Sequence, residues 1–320
     1  MTSPKILVTG SSGFVGEALI FRILMDKRFT PIAATRKATK LLGLCHVVPF
    51  DLRTPRSIPA LADISVIIHC AARVHVMNET AVDALSEFRK VNVDGTLRLA
   101  TQAAEYGVKR FVFVSSVKVN GESTSPGKPF AASDTPAPVD PYGVSKCEAE
   151  EGLRRISSRT GMEVVIVRPP LVYGPGVKAN FESMLRWLSK GVPMPLGAIH
   201  NKRSLVAVDN LVDLLITCID HPAAANQTFM VSDGEDLSTT QMLRRLSSAL
   251  GKKSLLLPLP RGLLILVGRL MGKKALAQRL CESLQVDMRD TCDRLDWHPP
   301  VTVNKAMRAT AVHFQEYKSK

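Results

Sequence analysis

Short apolar runs rich in β-branched residues alternate, through the first half of the chain, with longer stretches whose apolar positions recur at helical spacing. The runs fall at residues 5–9, 30–35, 47–50, 66–69 and 111–114. A helical pattern follows the first run as far as Met25, and another, carrying Asn92, continues to Tyr106, where Gly107 supplies a stop. A third helix is expected to start at Asp140-Pro141, with Asp140 as its cap and Pro141 at the first helical position. Strand and helix repeated in this way predict an α/β, doubly wound parallel sheet that binds ligands at the carboxyl ends of its strands. Further on, helices are expected over 181–190, over 209–219 with Asp209 as cap, and over 238–250 before Gly251.

At 320 residues the chain suits one large α/β unit with a smaller appendage. Lysine and arginine number 42 against 29 aspartates and glutamates, an excess of 13 that points to an anionic partner: a nucleotide, a nucleic acid or a membrane surface. Aromatic content of 5% argues against stacking platforms for single strands, so no nucleic-acid partner is expected and an anionic small molecule fits better. Cys45, Cys70, Cys147, Cys218, Cys281 and Cys292 form no zinc-type spacing and read as buried thiols of a reducing compartment, with no metal. Without a secretory leader pattern or a long apolar span, the chain reads as cytoplasmic, with no stable membrane insertion. The leucine-rich stretch 255–271, flanked by Arg261, Arg269, Lys273 and Lys274, has two readings. It lies on an anionic membrane surface, or it packs as a helix on the nucleotide site; the second is the expectation.

Candidate chemistry starts at Gly10-Ser11-Ser12-Gly13-Phe14-Val15-Gly16, between the first strand and its helix. Gly10 permits a tight turn, Gly13 lets amides approach a pyrophosphate, Gly16 lets the helix pack closely, and the helix start offers partial positive charge. Phe14 and Val15 join these glycines as cofactor contacts. The second strand ends at Thr35-Arg36-Lys37, where an acidic residue would select NAD; Arg36 instead favours the 2′-phosphate of NADP(H), with NAD(H) as the other possibility. Asp51 and Leu52 are placed beside the adenine, Ala71 and Ala72 form a small-residue floor, and His69 is expected in the core. Tyr142 and Lys146 lie one helical turn apart, which makes Tyr142 a candidate acid/base whose proton a nearby ammonium loosens.

The glycine turn, His69-Cys70-Ala71-Ala72, Asn92-Val93-Asp94-Gly95-Thr96, Ser115-Ser116 and Tyr142-x-x-x-Lys146, in this order, resemble the extended short-chain dehydrogenase/reductase family of nucleotide-sugar epimerases and dehydratases. Arg168-Pro169-Pro170-Leu171-Val172-Tyr173-Gly174, Arg203 to Asp209, and Leu295-Asp296-Trp297-His298-Pro299 extend the likeness over nearly the whole chain, with Asp296 where relatives have Gly. The resemblance implies a Rossmann domain over 1–172, rejoined by 204–232, and a smaller mixed α/β substrate domain over 173–203 and 233–320. It implies catalysis by Ser116, Tyr142 and Lys146, with Lys146 on the nicotinamide ribose, and cofactor contacts at Pro169 and Val172. Lys118, Asn180 and Arg203 are implied substrate contacts, with Arg279 or Arg289 as the second diphosphate ligand.

Val117 and Lys118 replace the acidic residues that dehydratases carry after the catalytic hydroxyl, and Asn120 replaces a tyrosine common in 4-epimerases. The pattern looks most like bacterial enzymes that reduce the C4 ketone of a UDP-linked 4-keto-6-deoxy-N-acetylhexosamine for surface polysaccharide. Reduction is therefore the expectation, with a UDP-hexose 4-epimerase retaining bound NAD as the rival and a non-catalytic dinucleotide sensor as a third reading. By the same resemblance a homodimer is expected.

Overall fold

The computed structural model describes residues 3–36, 39–54, 60–74, 83–272 and 274–318. Lys37 and Lys273, named above, and the side chain of Lys274 fall outside that set. The chain runs β1 (Lys5–Thr9), α1 (Phe14–Asp26), β2 (Thr30–Thr35), β3 (His46–Pro49), β4 (Ile64–His69), α2 (Ala84–Phe88), α3 (Thr96–Glu105), β5 (Arg110–Val114), α4 (Pro141–Thr160), β6 (Glu163–Arg168) and β7 (Leu171–Tyr173). It continues through α5 (Ala179–Ser189), β8 (Leu205–Ala207), α6 (Val208–Asp220), β9 (Thr228–Met230), α7 (Thr239–Ala249), α8 (Arg261–Leu270), α9 (Lys274–Cys281), α10 (Arg289–Leu295) and α11 (Val303–Lys318).

Seven strands form one parallel sheet in the order β3-β2-β1-β4-β5-β6-β9. The chain steps outward from β1 to β3 and then restarts on the other side of β1 with β4. The carboxyl ends of β1 and β4 therefore flank the crevice where such sheets bind ligands. Alternation along the strands feeds two cores: Ile6, Val8 and Ile68 face α1 and α6, while Leu7, Ile67 and Phe111 face α3 and α4. A third core gathers Tyr173, Phe181, Leu185, Leu205, Leu243 and Met307 around α5, α7 and α11. The short β7–β8 pair borders it.

Several expectations are corrected here. The helix expected to carry Asn92 and run on to Tyr106 is interrupted by a π-helical segment, Arg89–Gly95, between α2 and α3. At its end a Cβ on Gly95 would sit 2.7 Å from the Leu52 carbonyl oxygen, so the loop after β3 presses directly on the helix backbone. Asp209 does not cap α6, which starts one residue earlier with no side-chain cap. Asp296, standing where relatives have Gly, adopts φ 45° and ψ 43°, which explains the glycine preference. Leu295 and Trp297 pack into the core beneath α1 and α6, and the Trp297 indole donates to Asp213 at 2.9 Å.

The stretch 255–271 departs furthest. Within α8 only Gly268 is fully buried, so this helix lies on the surface rather than under the nucleotide site. All six cysteines are free; Cys147, Cys218 and Cys281 are buried, while Cys45, Cys70 and Cys292 are only partly so. No helix among the described residues is long and apolar enough to cross a membrane.

Candidate active site

The site grows out of two helix starts. At the first, Gly10 takes φ 67° and a Cβ there would lie 2.7 Å from the Ala71 nitrogen, so backbone meets backbone where β1 and β4 end. Gly13 caps α1 and donates to the Gly10 carbonyl at 2.8 Å. A Cβ on Gly16 would come within 2.3 Å of that same oxygen, so the third glycine packs against the turn itself. Ser11 is buried and donates to Ala34, and the Ser12 hydroxyl accepts from Thr35. The result is a backbone cradle opening at a helix N-terminus, which fits the pyrophosphate of a dinucleotide.

The surrounding residues fall where such a cofactor would extend. Phe14 and Val15 stand on the first turn of α1, Arg36 is exposed just beyond β2, and Asp51 and Leu52 follow β3. Ala71 is held by its amide on Thr9 Oγ1 at 3.3 Å, with Ala72 next to it. His69 is buried between Thr9 and Thr96 hydroxyls at 2.7 and 3.0 Å and stacks on Phe113. Burial, and then the charge of Lys146, lower its pKa to about 3, which marks a neutral core imidazole.

At the second helix start, Asp140 accepts from the Gly143 amide at 2.6 Å, with Pro141 at the first helical position. A Cβ on Gly143 would be 2.8 Å from the Lys118 carbonyl, so α4 begins hard against the turn that carries Ser116. Val117 in that turn donates to the Pro169 carbonyl, which ties it to the end of β6. Ser115 is buried and its hydroxyl donates to Glu150 at 2.6 Å; Ser116 is only half-buried. Of the pair, Ser116 is the hydroxyl open to a reacting molecule. Tyr142 is half-buried with its ring edge-on to Phe88.

The coupling expected between Tyr142 and Lys146 takes another form. The Lys146 ammonium is buried, donates to the Val114 carbonyl at 2.8 Å and lies 4.3 Å from the Phe113 ring centre. Burial brings it down to about 8, while burial and the Asp140 carboxylate push the Tyr142 phenol above its ordinary value. The phenol is thus held protonated, as a donor.

Asn92, quoted in the sequence as part of a motif, was given no role there. From the π-helical segment its amide accepts from the Arg73 amide at 2.8 Å, donates to the Arg73 carbonyl at 3.0 Å and donates to Ser145 at 3.0 Å. Ser145 in turn donates to the Tyr142 carbonyl, so Asn92 locks the floor after β4 to the helix bearing Tyr142. The available signal was an uncharged polar residue between two valines, at the start of that motif.

The outer residues also differ from expectation. Lys118, expected on substrate, binds Asp140 and, at 2.9 Å, Glu122, so its ammonium braces the α4 cap. Asn120, read as shaping the substrate pocket, is buried, accepts from Arg168 at 3.0 Å and donates to Ala131. Asn180 is exposed near the start of α5. Arg203 donates to the Arg279 and Glu282 carbonyls at 2.7 and 3.2 Å; burial, and then the neighbouring Arg279 charge, lower its pKa. Arg289 projects into solvent on a bidentate pair with Asp287. Among the described residues no group of three acids, histidines or cysteines could hold a metal.

A doubly wound parallel sheet with a glycine cradle at one helix start and Ser116, Tyr142 and Lys146 at another defines a dinucleotide-dependent enzyme of the short-chain dehydrogenase/reductase type. The model of the NAD dependent epimerase/dehydratase family matches residues 6–232, and the chain belongs to that family. It is 49% identical to a UDP-glucose 4-epimerase of Vibrio cholerae over 97% of this chain and 96% of the relative. It is 28% identical, over 88% of its length and 87% of the relative, to an N-acetyl-α-D-glucosaminyl-diphospho-ditrans,octacis-undecaprenol 4-epimerase of Escherichia coli O157:H7. Among solved structures, the UDP-glucose 4-epimerase of Thermotoga maritima superposes with TM-score 0.79 at 21% identity, covering 98% of this chain and 99% of that one. The expected reduction of a 4-keto sugar is overturned by the near-full-length match to a 4-epimerase.

Proposed function

We propose that this chain interconverts C4 epimers of a UDP-hexose, with NAD(H) held in the glycine cradle. The observation that carries the reading is the 49% identity to a UDP-glucose 4-epimerase along essentially the whole of both chains. It is supported by the family match and by the presence of Ser116, Tyr142 and Lys146 at one edge of the sheet.

Bound in this cradle, the dinucleotide would supply hydride chemistry at C4, and the chain's own residues hold it and handle the proton. Gly10, Gly13 and Gly16 admit its pyrophosphate, Phe14 and Val15 flank it, and Asp51, Leu52, Ala71, Ala72, Pro169 and Val172 line its length. Tyr142, its phenol ionised by the positive charge that an oxidised nicotinamide would add to that of Lys146, would take the C4 hydroxyl proton, and the protonated state that its surroundings otherwise favour would give that proton back. Ser116 donates a hydrogen bond to the C4 oxygen as charge gathers there. Lys146, positioned by the Val114 carbonyl, keeps positive charge beside the nicotinamide end. Arg203 and Arg279 form a two-arginine site for the diphosphate; Arg289, engaged by Asp287, is left outside it. The smaller unit, 173–203 with 233–320, closes over the UDP-sugar.

Purified protein given UDP-glucose without added cofactor should produce UDP-galactose, followed by proton NMR of the anomeric signals. Tyr142→Phe should lower turnover by roughly 10²–10⁴-fold while the dinucleotide stays bound. Cofactor-loaded protein that fails to interconvert UDP-glucose, UDP-galactose and their N-acetyl counterparts would refute the proposal.

A further inference from the structure

The helix that the active site does not use has an unusual surface. On α8, Leu264 packs against the third core and Gly268 is buried, so one face looks inward. Leu263, Leu266, Val267 and Leu270 fall at i, i+3, i+4 and i+7 and are 39–79% exposed, an apolar stripe turned outward. Met271 and Leu276 continue it into α9, which packs beside α8. Residues 255–276 hold eight of the twenty exposed large apolar side chains found among the described residues. Scattered exposed apolar residues are ordinary; a contiguous set on one amphipathic helix marks an interaction site.

Charge says what covers it. Between Asp236 and Glu282 the sequence has nine lysines and arginines and no aspartate or glutamate, although acidic residues make up 29 of the 320. Arg261 and Arg269, both exposed, stand at the two ends of the apolar stripe. A protein partner of ordinary composition would meet Arg261 and Arg269 with mixed charges. A sheet of anionic headgroups over acyl chains satisfies both parts at once: apolar side chains below, positive side chains at headgroup level.

We propose that α8 and its continuation into α9 dock this protein on an anionic phospholipid surface, lying in the interface plane. The docking is peripheral, because α8 has only ten residues. It is independent of the reaction proposed above, since the apolar stripe and Arg261 and Arg269 lie outside the cofactor and sugar sites; Arg279 of α9, assigned to the diphosphate, takes no part in the docking.

The test is co-sedimentation of the full chain with vesicles of phosphatidylcholine alone and of phosphatidylcholine with roughly one third phosphatidylglycerol at low salt. The protein should pellet only with the charged vesicles and be released as salt rises. L266E/L270E should abolish pelleting while keeping the circular dichroism spectrum and soluble turnover of the wild type. R261Q/R269Q should weaken binding by roughly fivefold per charge removed. Failure of the wild type to bind charged vesicles overturns the proposal. So does equal binding by L266E/L270E, which would place the contact elsewhere on the basic surface. A wild-type dimer that ignores vesicles and dissociates on L266E/L270E would assign the face to a second copy of the chain and equally overturn it.

Discussion

Removing the Glu150 carboxylate should destabilise this fold more than any single surface change, and the reason is geometric. Glu150, on α4, takes two parallel hydrogen bonds from Arg168 at 2.9 and 2.6 Å and one from Ser115 at 2.6 Å. The Glu150 and Arg168 side chains are 0% and 2% exposed. Arg168 closes β6 and also donates to Asn120, so the pair stitches α4, β6 and the turn bearing Ser116 into one unit. Glu150→Ala strands a buried guanidinium, at about 3–5 kcal/mol, and orphans the Ser115 hydroxyl for about 1 kcal/mol more. Against a typical total of about 5–15 kcal/mol, that is a large fraction of the stability. Adding Arg168→Met removes the stranded charge, so the double variant should recover about 2–3 kcal/mol relative to Glu150→Ala alone. Urea unfolding followed by fluorescence of Trp297, buried in the sheet core, reads the cycle. A loss under about 1 kcal/mol for Glu150→Ala, or a double variant weaker than the single, would refute the assignment of an uncompensated buried charge.

Two smaller effects follow from the same structure. His69 in the fold resists protonation down to about 3, whereas in the unfolded chain it titrates near the ordinary imidazole value of 6.5. The unfolded state therefore binds the extra proton first as pH falls, and stability present above 6.5 drains away toward 3: about 2 kcal/mol between pH 7 and pH 5. Urea midpoints for wild type and His69→Gln should diverge over that interval, and parallel pH profiles would contradict the buried neutral imidazole. Asp296 sits at φ 45°, which glycine adopts without its steric penalty, so Asp296→Gly should stabilise by about 0.5–1 kcal/mol and raise the thermal midpoint slightly. A lowered midpoint would mean that the aspartate makes a compensating contact.

What could be seen in the sequence was what local chemistry dictates. The glycine turn and the Asp140-Pro141 helix start depend on residues within a few positions of one another, and both are formed as expected. What escaped depends on partners far away in the chain. Asn120 and Lys118 looked like pocket residues because they follow the catalytic turn, yet Arg168 claims one and Asp140 the other. The π-helical segment ends at Gly95, where the Leu52 carbonyl lies close against the backbone, a contact between distant residues that helical periodicity does not record. The exposure of α8 was missed for a related reason: its periodicity announces an amphipathic helix but not which way the helix faces.

The preference for reduction over epimerisation failed on a different point. Arg36 lies just beyond β2, where the adenosine of the proposed cofactor would fall, whereas Ser116, Tyr142 and Lys146 stand at the β5–α4 end. A charge at the adenosine end reports on phosphate there and carries no information about whether the cofactor leaves between turnovers. The proton and oxygen handling at C4 is common to both reactions, so the catalytic residues do not separate them either. What distinguishes an epimerase is a cofactor retained long enough for the keto sugar to present its other face. Retention is favoured by a preorganised binding site, and the Gly10 turn is built that way, with backbone packed on backbone at Ala71 and the Gly13 amide already fixed on Gly10. No single motif among these separates the two reactions, and what decides between them is the 49% identity to a 4-epimerase over 97% of the chain.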